Sequence, residues 1–264
     1  MTPRNPPVVL SIAGSDSGGG AGIQADLKAI ARAGCHGTTA ITAVTAQNTL
    51  GVTAVHALPP EAIVDQVRAV AEDIGVDAVK IGMVGGTGAI EAVARALPLV
   101  GDAPVVLDPV MVAESGARLL LDDAVEALRA TLVPRAAMVT PNLPEARVLA
   151  GAGDDSEPEE LARAIHALGA GAVVVTGGHH EQAIDVFFDG DQMLSIPGER
   201  HPDGAAHGSG CTHSSTLAAE LAKGASPLEA ARVARETAAR AVRDGLRDIG
   251  AGPGPVDVFG LEQR

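Results

Sequence analysis

Short runs of Val, Ile, Leu and Ala alternate with amphipathic helical stretches along most of this chain, and few architectures accept that alternation. It is the rhythm of βαβ units that close a mainly parallel sheet with helices on both faces. Val8 to Ala13 reads as the first buried strand, Thr39 to Ala46 as the second, and Val52 to Ala57 as a short extra one. Val79 to Ile81, Val105 to Leu107, Met138 to Thr140 and Ala172 to Thr176 continue the series. Helical spacing marks Gln24 to Ala33, Thr87 to Leu97, Asp122 to Leu132, Asn142 to Ala150 and Pro158 to Leu168, and Pro60-Glu61 opens a further helix. Then the rhythm changes. Ala183 to Phe188 and Gln192 to Ile196, separated by Asp189-Gly190-Asp191, predict a small antiparallel hairpin near residues 183–196. A helix is expected from about Gly208. A last one follows Ser226-Pro227, with Leu228, Ala231, Ala238, Val242 and Leu246 on one face.

Composition narrows the chemistry. The chain has no Trp, no Tyr and three Phe, so its core must be aliphatic, as suits parallel strands under Ala-rich helices. No linker or compositional break divides residues 1–264, which read as one domain. A net charge of −14 argues against a nucleic-acid surface, which needs clustered Lys and Arg. Nothing approaches the length of a membrane span, and Met1 to Pro7 lacks the pattern of a secretory leader. Cys35 and Cys211 form no C-x-x-C pair, and a reducing, cytoplasmic setting is expected.

Gly20, Gly22 and Ala25 satisfy G-x-G-x-x-A between a strand and a helix, yet no acid occurs between Asp26 and Glu61 to hold a ribose. The nicotinamide reading therefore lacks its partner, and Gly14 to Gly22 is expected to be a mobile substrate cover. No Gly is followed by Lys, which excludes a Walker A loop, and there is no G-x-S-x-G elbow or H-E-x-x-H. His207-Gly208-Ser209-Gly210-Cys211-Thr212 instead puts two glycines at a helix start, where backbone amides converge on an anion without a lysine. The helix field there is expected to lower the Cys211 thiol toward thiolate. Asn142 and Glu145 fit a capping box, and at a strand's carboxyl end they also suit a metal–triphosphate. Asp108 closes a strand in the same way, and Gln47 has the neutral amide that suits a heterocycle edge. Gly177-Gly178-His179 follows another strand, and the polar stretch Pro197 to His207 is a second expected cover. Nearly all of these fall at strand carboxyl ends, the edge on which open α/β sheets bind ligands.

Taken in order, Gly14 to Asp26, Ala46 to Thr49, Lys80 to Met83, Asp108 to Met111, Thr140 to Ala146, His207 to Thr212 and Gly254 to Val256 resemble the motifs of hydroxymethylpyrimidine/phosphomethylpyrimidine kinases. The resemblance implies a ribokinase-like fold, ATP with Mg²⁺, a small-molecule pyrimidine substrate and a homodimer. It implies that Gln47 binds the aminopyrimidine and that Asp26, Met83 and Gly14 line its pocket. It places ATP against Asn142, Glu145, Thr176 and Gly178, and Mg²⁺ on Asp108 and Glu145, directly or through water. Gly208, Ser209, Gly210 and Cys211 then become the catalytic anion hole, with Cys211 where most relatives in the superfamily carry a general-base Asp. Thr176 departs from the pattern, standing where the family often has Lys. A pyridoxal or pyridoxine kinase, and a catalytically idle pyrimidine-binding member, are the alternatives.

Overall fold

The computed structural model describes residues 5–112, 116, 119–120, 122–177 and 183–261. Nine strands form one sheet in the order β3-β2-β1-β4-β5-β6-β7-β8-β9. They are β1 (Val8–Asp16), β2 (His36–Asn48), β3 (Gly51–Ala57), β4 (Ala78–Ile81), β5 (Val105–Leu107), β6 (Met138–Val139), β7 (Val173–Val175), β8 (Asp185–Phe188) and β9 (Met193–Ile196). From β2 across to β7 all neighbours are parallel. β3 joins β2 antiparallel, and β8 and β9 form the expected hairpin beyond β7.

Strand alternation sends successive side chains to opposite faces, and both faces are covered. Leu10, Ile12, Val79, Ile81 and Leu107 pack with α2 (Pro60–Ala69), α3 (Thr87–Ala96), α4 (Asp122–Thr131), α5 (Leu143–Ala150) and α6 (Pro158–Ala167). Val9, Ala78, Val106, Met138 and Val174 face α1 (Gly22–Arg32), α7 (Ser209–Ala222) and α8 (Pro227–Arg243). The expected α/β class with helices on both faces is thus observed.

The last helix differs from its expected face. α8 ends at Arg243, so Leu246 lies beyond it, and the buried stripe is Ala230, Ala231, Ala234, Arg235, Ala238 and Ala241. Small alanines let α8 lie close against α7, and one arginine is buried among them.

The chain makes β1 and β2 on one side of the sheet and then returns to add β4 to β7 on the other side of β1. Such a reversal leaves a crevice at the strands' carboxyl ends. Gly14, Gln47, Met83, Asp108, Asn142 and Thr176 all sit at that edge.

Candidate active site

The crevice is a cavity of about 410 Å³, bounded opposite the sheet edge by the start of α7 and by Glu199 to Pro202. At one end lie Gly14, Gln47, Met83 and Cys211; at the other lie Asn142, Thr176, Ala183 and Val242. The Thr45 hydroxyl lies 3.0 Å from Gln47 Oε1, which leaves the Gln47 amide N–H₂ to donate elsewhere. Thr42 donates to the Met83 carbonyl (2.7 Å), and a methyl group on Gly14 would come within 2.2 Å of Met83 Cε. Glycine at 14 therefore lets the Met83 thioether lie over the end of β1.

The Gly-rich segment is not the loose cover expected from its sequence. β1 runs on through Asp16, whose carboxylate accepts the amides of Gly18 (2.8 Å), Gly20 (3.0 Å) and Ala21 (2.8 Å). His207 Nε2 lies 3.2 Å from the same carboxylate, and Lys28 clamps the Gly19 carbonyl at 2.7 Å. Burial alone would raise the Asp16 carboxyl, but the hydrogen bonds from His207, Ala21 and Gly18 outweigh it and hold it below the ordinary aspartate value. With those amides committed to Asp16, none is left for a dinucleotide pyrophosphate. The G-x-G-x-x-A match is thus a pinned turn.

That turn abuts the anion hole. Gly208 caps α7 with φ 86°, and a Cβ there would sit 1.8 Å from the Gly20 carbonyl oxygen, so only glycine fits. The amides of Ser209 and Thr212 bond the carbonyls of Ala206 and Gly208, while those of Gly210 and Cys211 keep no acceptor within the helix. Gly208, Ser209, Gly210 and Cys211 all line the cavity, where the helix N-terminus favours an anion.

The thiol departs from expectation. Burial pushes Cys211 up to about 12, and Asp26 and Asp108 add to that, while Lys80 and the Gly22 amide pull down without prevailing. Dehydration outweighs the helix field, and Cys211 stays a neutral thiol.

Asp26, expected to line the substrate pocket, lies beneath it. Its side chain is 0% exposed and accepts from Ser11 (2.6 Å), Ser215 (2.8 Å) and Lys80 (2.9 Å). Lys80, to which the sequence reading gave no role, is likewise 0% exposed, and its Nζ lies 3.7 Å from Asp108 Oδ2. Burial alone would lower the Lys80 ammonium, but Asp26 and Asp108 hold it above the ordinary lysine value. A lone lysine inside Ala-Val-Lys-Ile was the signal available in the sequence. Gly178 lies outside the described residues, as does His179.

Asp108 and Glu145 both line the cavity and lie close enough to interact. Ser214 donates to Asp108 (2.9 Å), and Glu145 both completes the α5 capping box with Asn142 and accepts from Met111 N (3.3 Å). Burial raises both carboxyls, and Asp108 beside Glu145 helps push the latter to about 8. Two buried acids that resist ionising together are a donor set a divalent cation relieves. Among the described residues no three His, Cys, Asp or Glu side chains converge on one point.

Free amides at the start of α7, facing two buried acids across the switch edge of a mainly parallel sheet, are parts suited to phosphoryl transfer, and the fold is ribokinase-like. Residues 16–257 match the family described as phosphomethylpyrimidine kinase, and the chain belongs to that family. A hydroxymethylpyrimidine/phosphomethylpyrimidine kinase of Rhizobium meliloti (strain 1021) is 50% identical over 258 residues, covering 96% of this chain and 97% of the relative. Among solved structures, an ADP complex of Bacillus subtilis pyridoxal kinase superposes with a TM-score of 0.89 at 37% identity, covering 98% of this chain and 99% of that one. A phosphomethylpyrimidine kinase of Clostridium difficile gives 0.77 at 38% identity, covering 87% and 96%.

Proposed function

We propose that this kinase transfers the γ-phosphoryl group of ATP to the hydroxymethyl group of 4-amino-5-hydroxymethyl-2-methylpyrimidine. It then phosphorylates the monophosphate, giving the diphosphate used in thiamine biosynthesis. The observation that carries this reading is one cavity joining the Gln47 amide, oriented by Thr45, to the anion hole beside Cys211. Gln47 pairs with the aminopyrimidine edge, and Met83 and Gly14 pack against the ring. Asn142 and Thr176 line the end assigned to the nucleotide, and the ADP complex of the structural relative supports nucleotide binding by this fold.

In the transfer the acceptor oxygen forms a bond to the γ-phosphorus as the bond to ADP breaks. The Gly210 and Cys211 amides take up charge on the equatorial oxygens. The neutral Cys211 thiol donates to the anion, and the hydroxyl proton leaves on the transferred phosphoryl group. Asp108 and Glu145 would hold Mg²⁺, directly or through water, and the ion would supply charge neutralisation at the phosphate oxygens. Support for a homodimer comes from exposed Val44, Leu50 and Val55 along the β2–β3 ribbon, and the expected setting is cytoplasmic.

The test is ADP release with Mg²⁺-ATP and the pyrimidine, its monophosphate or pyridoxal, alongside Cys211→Ala. Protein must be quantified without 280 nm absorbance, because Trp and Tyr are absent. Turnover of both pyrimidines, with kcat down roughly 10²-fold in the variant, is expected. Monophosphate alone after long incubation with excess ATP would remove the second step. Preference for pyridoxal would favour the reading that the Bacillus subtilis structure supports.

A further inference from the structure

Lys80 is one of three lysines in the chain, with Lys28 and Lys223, and it alone sits inside an apolar strand. Its charge is anchored from beneath: Asp26 accepts at 2.9 Å and is itself fixed by Ser11 on β1 and Ser215 on α7. On the cavity side Asp108 lies at 3.7 Å, too far for a hydrogen bond, with its orientation shared with Ser214. An ammonium carries three donors. Asp26 takes one, and no other acceptor stands within hydrogen-bond reach among the described residues. Lys80 and Cys211 both border the cavity, and the Lys80 charge favours the thiolate there while Asp26 and Asp108 oppose it.

We propose that Lys80 is a positioning residue of the transfer step: pinned to Asp26, its ammonium aims Asp108 into the cavity and holds positive charge beneath the point where the acceptor hydroxyl meets Cys211. This rests on the kinase reading above. A positive charge at that point favours the developing alkoxide, a task a neutral thiol performs poorly alone. A merely structural ion pair would tie β4 to α1 and do nothing to the chemistry, and the two roles separate by experiment.

Lys80→Met alone would strand Asp26 as an unpaired buried charge and could fail to fold for that reason. The pair is therefore removed together, as Lys80→Met with Asp26→Asn, and folding is checked by thermal unfolding. The expected result is kcat for the pyrimidine down roughly 10²-fold with KM for ATP within about twofold of wild type. Alkylation of Cys211 by iodoacetamide at a fixed alkaline pH, followed on the peptide by mass spectrometry, should be severalfold slower in the double variant than in Asp26→Asn alone, which keeps the facing cation. Lys80→Arg, which keeps the charge, should retain most of kcat and normal alkylation. A folded double variant with wild-type kcat, or with alkylation no slower than that of Asp26→Asn, would overturn the proposal. So would an arginine variant that folds yet loses both. Alkylation needs no turnover, so wild-type protein inert toward both pyrimidines would count against the kinase reading and leave Lys80 still under test.

Discussion

At Glu145 one side chain both caps α5 and faces Asp108, and only the second task depends on its charge. Its carboxyl is raised from 4.5 to about 8, so the folded protein binds a proton there that the unfolded chain has already released. Metal-free stability should therefore fall as pH rises between about 5 and 8, by at most about 1.4 kcal/mol per pH unit, and level off above. Glu145→Gln keeps the cap and should flatten that fall, as urea unfolding across the range would show; an unchanged slope would place the proton elsewhere. Residues such as Asp108, Glu145, Gly208 and Cys211 were legible in sequence because each stands in a short motif at a strand end or helix start. The state of the Cys211 thiol was not, since the helix field is local while dehydration comes from the packed surroundings. Lys80 stood in a family motif, but its task was not legible either. Its partner Asp26 lies 54 positions away, and no local spacing reveals such a pair.

Elements were read well where periodicity and caps agree. α8 begins at Pro227 behind Ser226, whose side chain and that of Glu229 form a reciprocal box. Ser226→Ala should lower global stability by about 1 kcal/mol with activity intact, measurable by urea denaturation followed by circular dichroism. No change in the midpoint would mean that packing of α8 on α7 alone fixes its start. The sequence misjudged two segments for the same reason, that glycine and alanine say little about neighbours. Gly14 to Gly22 looked mobile by composition, yet Asp16 at the end of β1, Lys28 on α1 and His207 just before α7 tie it down. On α8 the alanine stripe could be drawn on several faces, and helix–helix contact chose the one carrying Arg235.

For the molecule as a whole, the aliphatic composition has a mechanical consequence. With Phe187 the single aromatic among the largest fully buried side chains, the core is assembled from many small contributions across two faces of the sheet. Leu128 of α4 is one of the larger pieces, 1% exposed within the cluster beneath β4 and β5. Leu128→Ala should cost about 2–5 kcal/mol, with KM values unchanged because the site lies on the far edge; a loss under about 1 kcal/mol would mean the helices close over the gap. The long-range bonds that make the site also bear on how the protein is born. Asp26 emerges from the ribosome 189 positions ahead of Ser215, and Asp16 emerges 191 positions ahead of His207. A nascent chain can lay down every strand of its sheet while its buried acids still wait for the hydroxyl and imidazole that shelter them. The anion hole is made only after every strand of the sheet, and a message truncated before α7 would yield a sheet with no working centre.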